Sequence, residues 1–289
     1  MPFFRTTTVC LARSATRLTV CAALFAIVTS FAMNGVRAEE IRIGGTGAAL
    51  ANIERLADTF AGTQPGTTVK VMPGLGSSGG IRALLAGALD VAVSALPAEY
   101  DEGTEGLVST AYARTPFVFA TRMSSVTGFT EADLVRVYAG EITAWPDKTP
   151  IRLVLRSPTD SDTHILQAMS DAMRRAVDLA YERPGVIVAQ TDQTNADALE
   201  SVLGAIGTST LGQIVAEHRP LRALAVNGVD ASVGEMDAGR YRLVKTLYLV
   251  TRSKASPLVH SFVSFVKSDA AQPILSEQGY TPDKSDTKQ

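Results

Sequence analysis

From residue 39 onward the apolar positions alternate between two spacings. Ile41-Arg42-Ile43 steps by two and ends in Gly44-Gly45-Thr46-Gly47, after which Ile53, Leu56, Ala57 and Phe60 hold the i, i+3, i+4, i+7 spacing of an amphipathic helix. The order of strand, glycine turn and helix then recurs. Residues 68–72 are rich in β-branched side chains, 74–80 form the turn, and 81–88 are predicted as a helix broken at Gly87 before a strand over 89–93. Further strands are predicted over 117–121, 151–155, 186–189, 205–207, 221–226 and 244–251. The helices between and after them are predicted over 131–138, 161–181, 194–202, 211–217, 257–267 and 270–278. Short strands alternating with helices predict an α/β fold with mostly parallel sheets, whose ligands sit beyond the carboxyl ends of the strands.

The first 38 residues follow another logic. Arg5, Arg13 and Arg17 precede an apolar run over 18–33, and Val36-Arg37-Ala38 supplies small residues at the cleavage-critical positions. This predicts a secretory signal peptide cut after Ala38. The run of 16 apolar residues is shorter than the roughly 20 that a spanning helix needs, which argues against a membrane anchor. Both cysteines, Cys10 and Cys21, fall inside the signal, so the product has no disulfide and no thiolate for metal or nucleophilic work. A lipoprotein reading of 18–21 fails because the apolar run follows Cys21. The whole chain has 27 basic and 29 acidic side chains; the signal removes four arginines and no acid, leaving 251 residues at a formal charge of −6. With 46% apolar content the chain can build a sizeable core, which excludes disorder. No basic stripe suggests nucleic acid. The expected product is a soluble protein of the periplasm.

Three stretches carry candidate chemistry. In Gly74-Leu75-Gly76-Ser77-Ser78-Gly79-Gly80, glycines clear the way and two hydroxyls stand where a helix begins, which suits an anion held by unpaired N–H groups; a flexible turn or plain serine capping is the simpler alternative. The same residues satisfy G-x-S-x-G, so a serine hydrolase using Ser78 must be weighed. Few strands precede this elbow, however, and His164, His218 and His260 are dispersed, without metal-ligand spacing. Gly45-x-Gly47 opens a helix but lacks a third glycine, with Leu50 at that position, and the next strand supplies no acid for a ribose. Arg156-Ser157-Pro158-Thr159-Asp160-Ser161-Asp162-Thr163 joins a predicted strand to a predicted helix, pairing a guanidinium fork with hydroxyls at a helix start; a cap plus a surface ion pair is the alternative.

The chain resembles the phosphate-binding periplasmic proteins of ABC importers, a branch of the type II solute-binding proteins. The likeness rests on Gly45-Thr46-Gly47-Ala48-Ala49-Leu50, the 74–81 stretch, Leu89-Asp90-Val91-Ala92-Val93-Ser94, Tyr138-Ala139-Gly140-Glu141-Ile142-Thr143-Ala144-Trp145, Gly204-Ala205-Ile206-Gly207 and Gly279-Tyr280-Thr281-Pro282. It implies two α/β lobes, 39–118 with 246–289 and 119–245, joined by hinge strands near 117–121 and 244–251. The implied function is non-enzymatic capture of phosphate or a related oxyanion, without a cofactor or metal. The protein would act as a monomer and deliver its ligand to an ABC permease in the inner membrane. A ligand-binding sensor or accessory domain of the same fold is the second expectation.

The contacts carried over from the family fall on Ala49, Leu50, Ser77, Arg156, Ser161 and Thr163, and Asp162, among them in sequence, is added as a ligand-binding candidate of this chain. Three positions depart from it. Ala49 replaces a threonine, Ala95 stands where the family has an aspartate that accepts from a protonated phosphate oxygen, and Asp162 replaces a glycine in a segment one residue longer. An acceptor role for Asp160 or Asp162, or outright repulsion of anions by them, follows as an open question.

Overall fold

The computed structural model describes residues 39–100 and 102–283, so the predicted signal peptide lies outside the described residues. Eight main strands carry the sheet: β1 (Glu39–Gly45), β2 (Thr67–Val71), β3 (Val91–Ser94), β4 (Leu107–Thr121), β5 (Arg152–Arg156), β6 (Ile187–Ala189), β7 (Ala205–Thr210) and β8 (Val244–Arg252). Their order is β2-β1-β3-β8-β4-β7-β5-β6. β1 runs parallel to β2 and β3, and β5 runs parallel to β6 and β7. Between these sets, β8 is antiparallel to β3 and β4, and β4 is antiparallel to β7.

β4 changes partner along its length. Up to Pro116 it pairs with β8, and from Phe117 to Ala120 it pairs with β7. Two lobes therefore share this strand, each with its own core. One core gathers Ile41, Ile43, Ile53, Leu56, Phe60 and Phe262; another gathers Phe117, Phe119, Leu134, Trp145, Leu153 and Met173. In the first, Phe60 meets Phe262 edge-on at 5.4 Å between ring centroids, the geometry aromatic quadrupoles favour.

Four predicted elements differ from those found. The helix predicted over 161–181 is two, Ser161–Met169 and Asp171–Glu182. Their apolar faces run on into one core, which hides the break from a periodicity argument; Ser170 is extended (φ −168°, ψ 160°) and its hydroxyl accepts from the Met173 N–H at 3.1 Å. β4 starts at Leu107, ten residues before the predicted strand, in a stretch where polar residues blur the alternation. The strand predicted over 221–226 is two short pieces, Arg222–Ala223 and Ala225–Val226.

The fourth difference bears on the site. The glycine turn ends at Gly76 and the helix occupies Ser77–Leu85, so Gly79 and Gly80 lie within it. A Cβ on Gly80 would stand 2.7 Å from the Gly45 Cα. The glycine therefore lets the first helical turn rest against the end of β1.

Candidate functional site

The carboxyl ends of β1, β3, β5, β6 and β7 point their following loops at one place, where the two lobes meet. From one lobe come the buried Thr46, the 3-10 turn Gly47–Ala49, the start of the Leu50–Thr63 helix, Ser77 and Ala95. From the other come Arg156 at the end of β5, Asp160 and Asp162 at the start of the Ser161–Met169 helix, Asp192 and Gln193 opening the Asp192–Ser201 helix, and Thr208 on β7. Lys245, on β8 between the lobes, completes the cluster.

Within this cluster two cations face three carboxylates. The Arg156 guanidinium lies 2.6 Å from Asp160 Oδ2 and 3.6 Å from Asp192 Oδ1, and it donates to the Ala189 carbonyl at 3.3 Å. Its Nε is buried without an acceptor. Lys245, 1% exposed, pairs through Nζ with Asp162 Oδ1, while the Thr208 hydroxyl donates to Asp162 Oδ2 at 2.9 Å. Lys245 and Arg156 hold Asp162 below the usual carboxylate range despite its burial. Asp192 reaches across to the other lobe, where the Thr46 hydroxyl donates to its Oδ2 at 3.4 Å. Beside it, Gln193 Nε2 donates to the Gly47 carbonyl at 3.2 Å and to Glu217 at 3.1 Å. A Cβ on Gly47 would stand 2.9 Å from the Asp192 Cβ, so glycine is what lets the two loops touch.

The sequence-predicted residues divide into two groups. Arg156, Asp162, Ser161 and Thr163 are all buried, but Thr163 spends its hydroxyl on the Ser157 carbonyl at 2.8 Å and on Tyr181. Ser77 is half-buried, and its oxygen accepts from the Ala95 N–H at 2.9 Å. Ala49 and Leu50 are buried in the turn that leads into the first helix. Sequence reasoning missed Asp192, Gln193, Thr208 and Lys245. Lys245 carried a signal: along β8 it shares the inward phase with Leu247 and Leu249, all three buried, so a charge on that face needs a buried partner. Asp192 carried none, because an acid after Thr191 in the first turn of a helix is ordinary.

Asp160 is the titrating member of the cluster. Burial, with Asp162 and Asp192 nearby, outweighs Arg156 and pushes its carboxyl up from 3.8 to about 6. The folded state thus holds a proton that the unfolded chain releases. Its contribution is fully present below about pH 4 and is lost as pH rises through about 6, a change of up to about 3 kcal/mol. Urea unfolding of wild type and Asp160→Asn between pH 4 and 7 isolates it. The stability difference is expected to move in favour of Asp160→Asn as pH rises; a difference that stays flat would refute the assignment.

Two α/β lobes sharing a strand, with loops converging on a buried polar cluster between them, define the architecture of a bilobal solute-binding domain. The chain belongs to the PBP superfamily: the family profile described as PBP superfamily domain matches residues 32–270. It is 24% identical to the phosphate-binding protein PstS of Borreliella burgdorferi over 71% of this chain and 76% of that protein. It is 25% identical to the phosphate-binding protein PstS of Bacillus subtilis over 84% of this chain and 80% of that protein. A solved structure from Clostridium perfringens, described as a phosphate ABC transporter substrate-binding protein with bound phosphate, superposes with a TM-score of 0.72 at 19% identity. That match covers 85% of this chain and 100% of the other.

Proposed function

We propose that this chain is an exported solute-binding protein of the periplasm that captures a phosphate-class oxyanion between its lobes and delivers it to an ABC permease. The observation that carries this reading is Arg156. Its guanidinium is 2% exposed at the junction of the lobes and keeps one buried donor, Nε, without an acceptor. A buried donor left open costs stability unless a ligand meets it. The relatives named above support the ligand class. No described helix is long and apolar enough to cross a membrane.

The cluster also sets which oxyanion fits. Asp192 already engages the Thr46 hydroxyl and faces Arg156, the donors an entering anion would use. With three carboxylates against two cations, an anion is favoured when it brings a proton or when Asp160 takes one up. A proton-bearing phosphate suits such a site better than sulfate, which has no proton to give.

Thermal unfolding against phosphate and sulfate at matched ionic strength tests this, since a ligand of the native state raises the melting temperature. Phosphate is expected to raise it in wild type. Asp192→Asn, which removes a charge beside the anion, is expected to tighten both anions by at least about tenfold, with sulfate gaining more. No shift with phosphate in either protein would end the oxyanion reading.

A further inference from the structure

The stretch Tyr138–Trp145 has no part in the cleft, yet its second half walls a pocket on the far side of its lobe. This surface cavity of about 440 Å³ is lined by Val137, Ile142, Leu153 and Val186, among other apolar residues, and by Arg152 and Arg183. Among the described residues, no aspartate or glutamate lines it. Its volume falls in the range of small-molecule sites, and its accessible lining is polar and apolar in about equal measure, with Ile142 and Val186 half-buried over the buried Val137 and Leu153.

Arg183 is the unusual member. It is only partly exposed, and among the described residues its buried Nε has no acceptor and no carboxylate pairs with it. Arg156 and Arg219, also withdrawn from solvent, are held by two and three carboxylates respectively. Burial lowers the pKa of Arg183, opposed in part by Tyr138. Arg183 packs beside Gly140, which ends the Glu131–Ala139 helix at φ +80°. Arg152, exposed at the start of β5, adds a second guanidinium that pairs with no carboxylate among the described residues. A partly buried guanidinium without a counter-charge lowers stability, and such costs persist where a ligand uses the group.

We infer that this pocket is a second ligand site, separate from the interlobe cleft. Its ligand is a small amphipathic carboxylate whose head is forked by Arg183 with Arg152 and whose hydrocarbon body lies on the half-buried Ile142 and Val186. The planar guanidinium matches a carboxylate in a bidentate fashion, and those two apolar side chains account for the tail. The site does not depend on which anion the cleft takes.

Amide chemical-shift titration with hexanoate tests the inference, with hexanol and hexylamine as matched probes. Hexanoate is expected to give saturable shifts at Ile142, Thr143 and Val186, while hexanol and hexylamine bind at least tenfold more weakly. Arg183→Met is expected to weaken hexanoate at least tenfold and to leave phosphate affinity and melting temperature unchanged or the latter raised, since the variant removes an uncompensated charge. Arg152→Met should weaken hexanoate to a smaller extent. The inference is overturned if hexanol binds as tightly as hexanoate, if Arg183→Met binds hexanoate as wild type does, or if the saturable shifts fall on Thr46 and Gly47.

Discussion

Lys245→Met is expected to lower stability by about 3–5 kcal/mol, because it leaves the Asp162 carboxylate buried without its cation. Lys245 and Asp162 are each 1% exposed and they pair directly, with Thr208 satisfying the other carboxylate oxygen. The ammonium also stands 5.8 Å from the centre of the Phe117 ring, a minor contribution beside the ion pair. Removing both charges is a different matter. Lys245→Met with Asp162→Asn keeps an acceptor for Thr208 and leaves no bare charge, so the double variant is expected to recover most of the loss. Urea unfolding of the single and double variants measures it, and a single-variant cost below about 1 kcal/mol would show that water reaches Asp162.

This pair also shows where sequence reasoning stops. The alternation of strands and helices was legible because each element buries one face: Ile41 and Ile43 under β1, and Ile53, Leu56 and Phe60 under the first helix, enter the same core. The glycine-rich stretch was legible as a turn opening a helix, but Gly79 and Gly80 lie within that helix, and the close approach of Gly80 to Gly45 was not read from the sequence. Arg156 and Asp162 were readable as site candidates because they sit in a short strand-to-helix segment. What that segment alone cannot reveal is a partner 83 residues away in Lys245, or that Asp192, 146 residues from Thr46, bridges the lobes. Contacts of that separation are fixed by the packing of whole elements, here by β8 running beside β4 and by Gly47 admitting Asp192. Ser170 failed for the opposite reason, being a local capping choice that leaves the apolar periodicity on either side intact.

Arg156→Met is expected to weaken phosphate about hundredfold or more, the scale for truncating a buried, charge-assisted donor set. The same change strips Asp160 and Asp192 of their cation, so a loss of stability must accompany it. The two effects separate by pH. Asp160 is already pushed up to about 6, and without Arg156 it is driven higher, so at pH 5 it is neutral and the stability loss shrinks. Binding cannot recover the same way, because a proton on Asp160 relieves repulsion without replacing the donors at Nη2 and Nε. Arg156→Lys keeps the charge and loses the fork, and it should fall between wild type and Arg156→Met. Calorimetric titration with phosphate, alongside unfolding at pH 5 and pH 7, reads both. Phosphate binding by Arg156→Met within about threefold of wild type would remove Arg156 from the site and leave its buried Nε without a ligand to explain it.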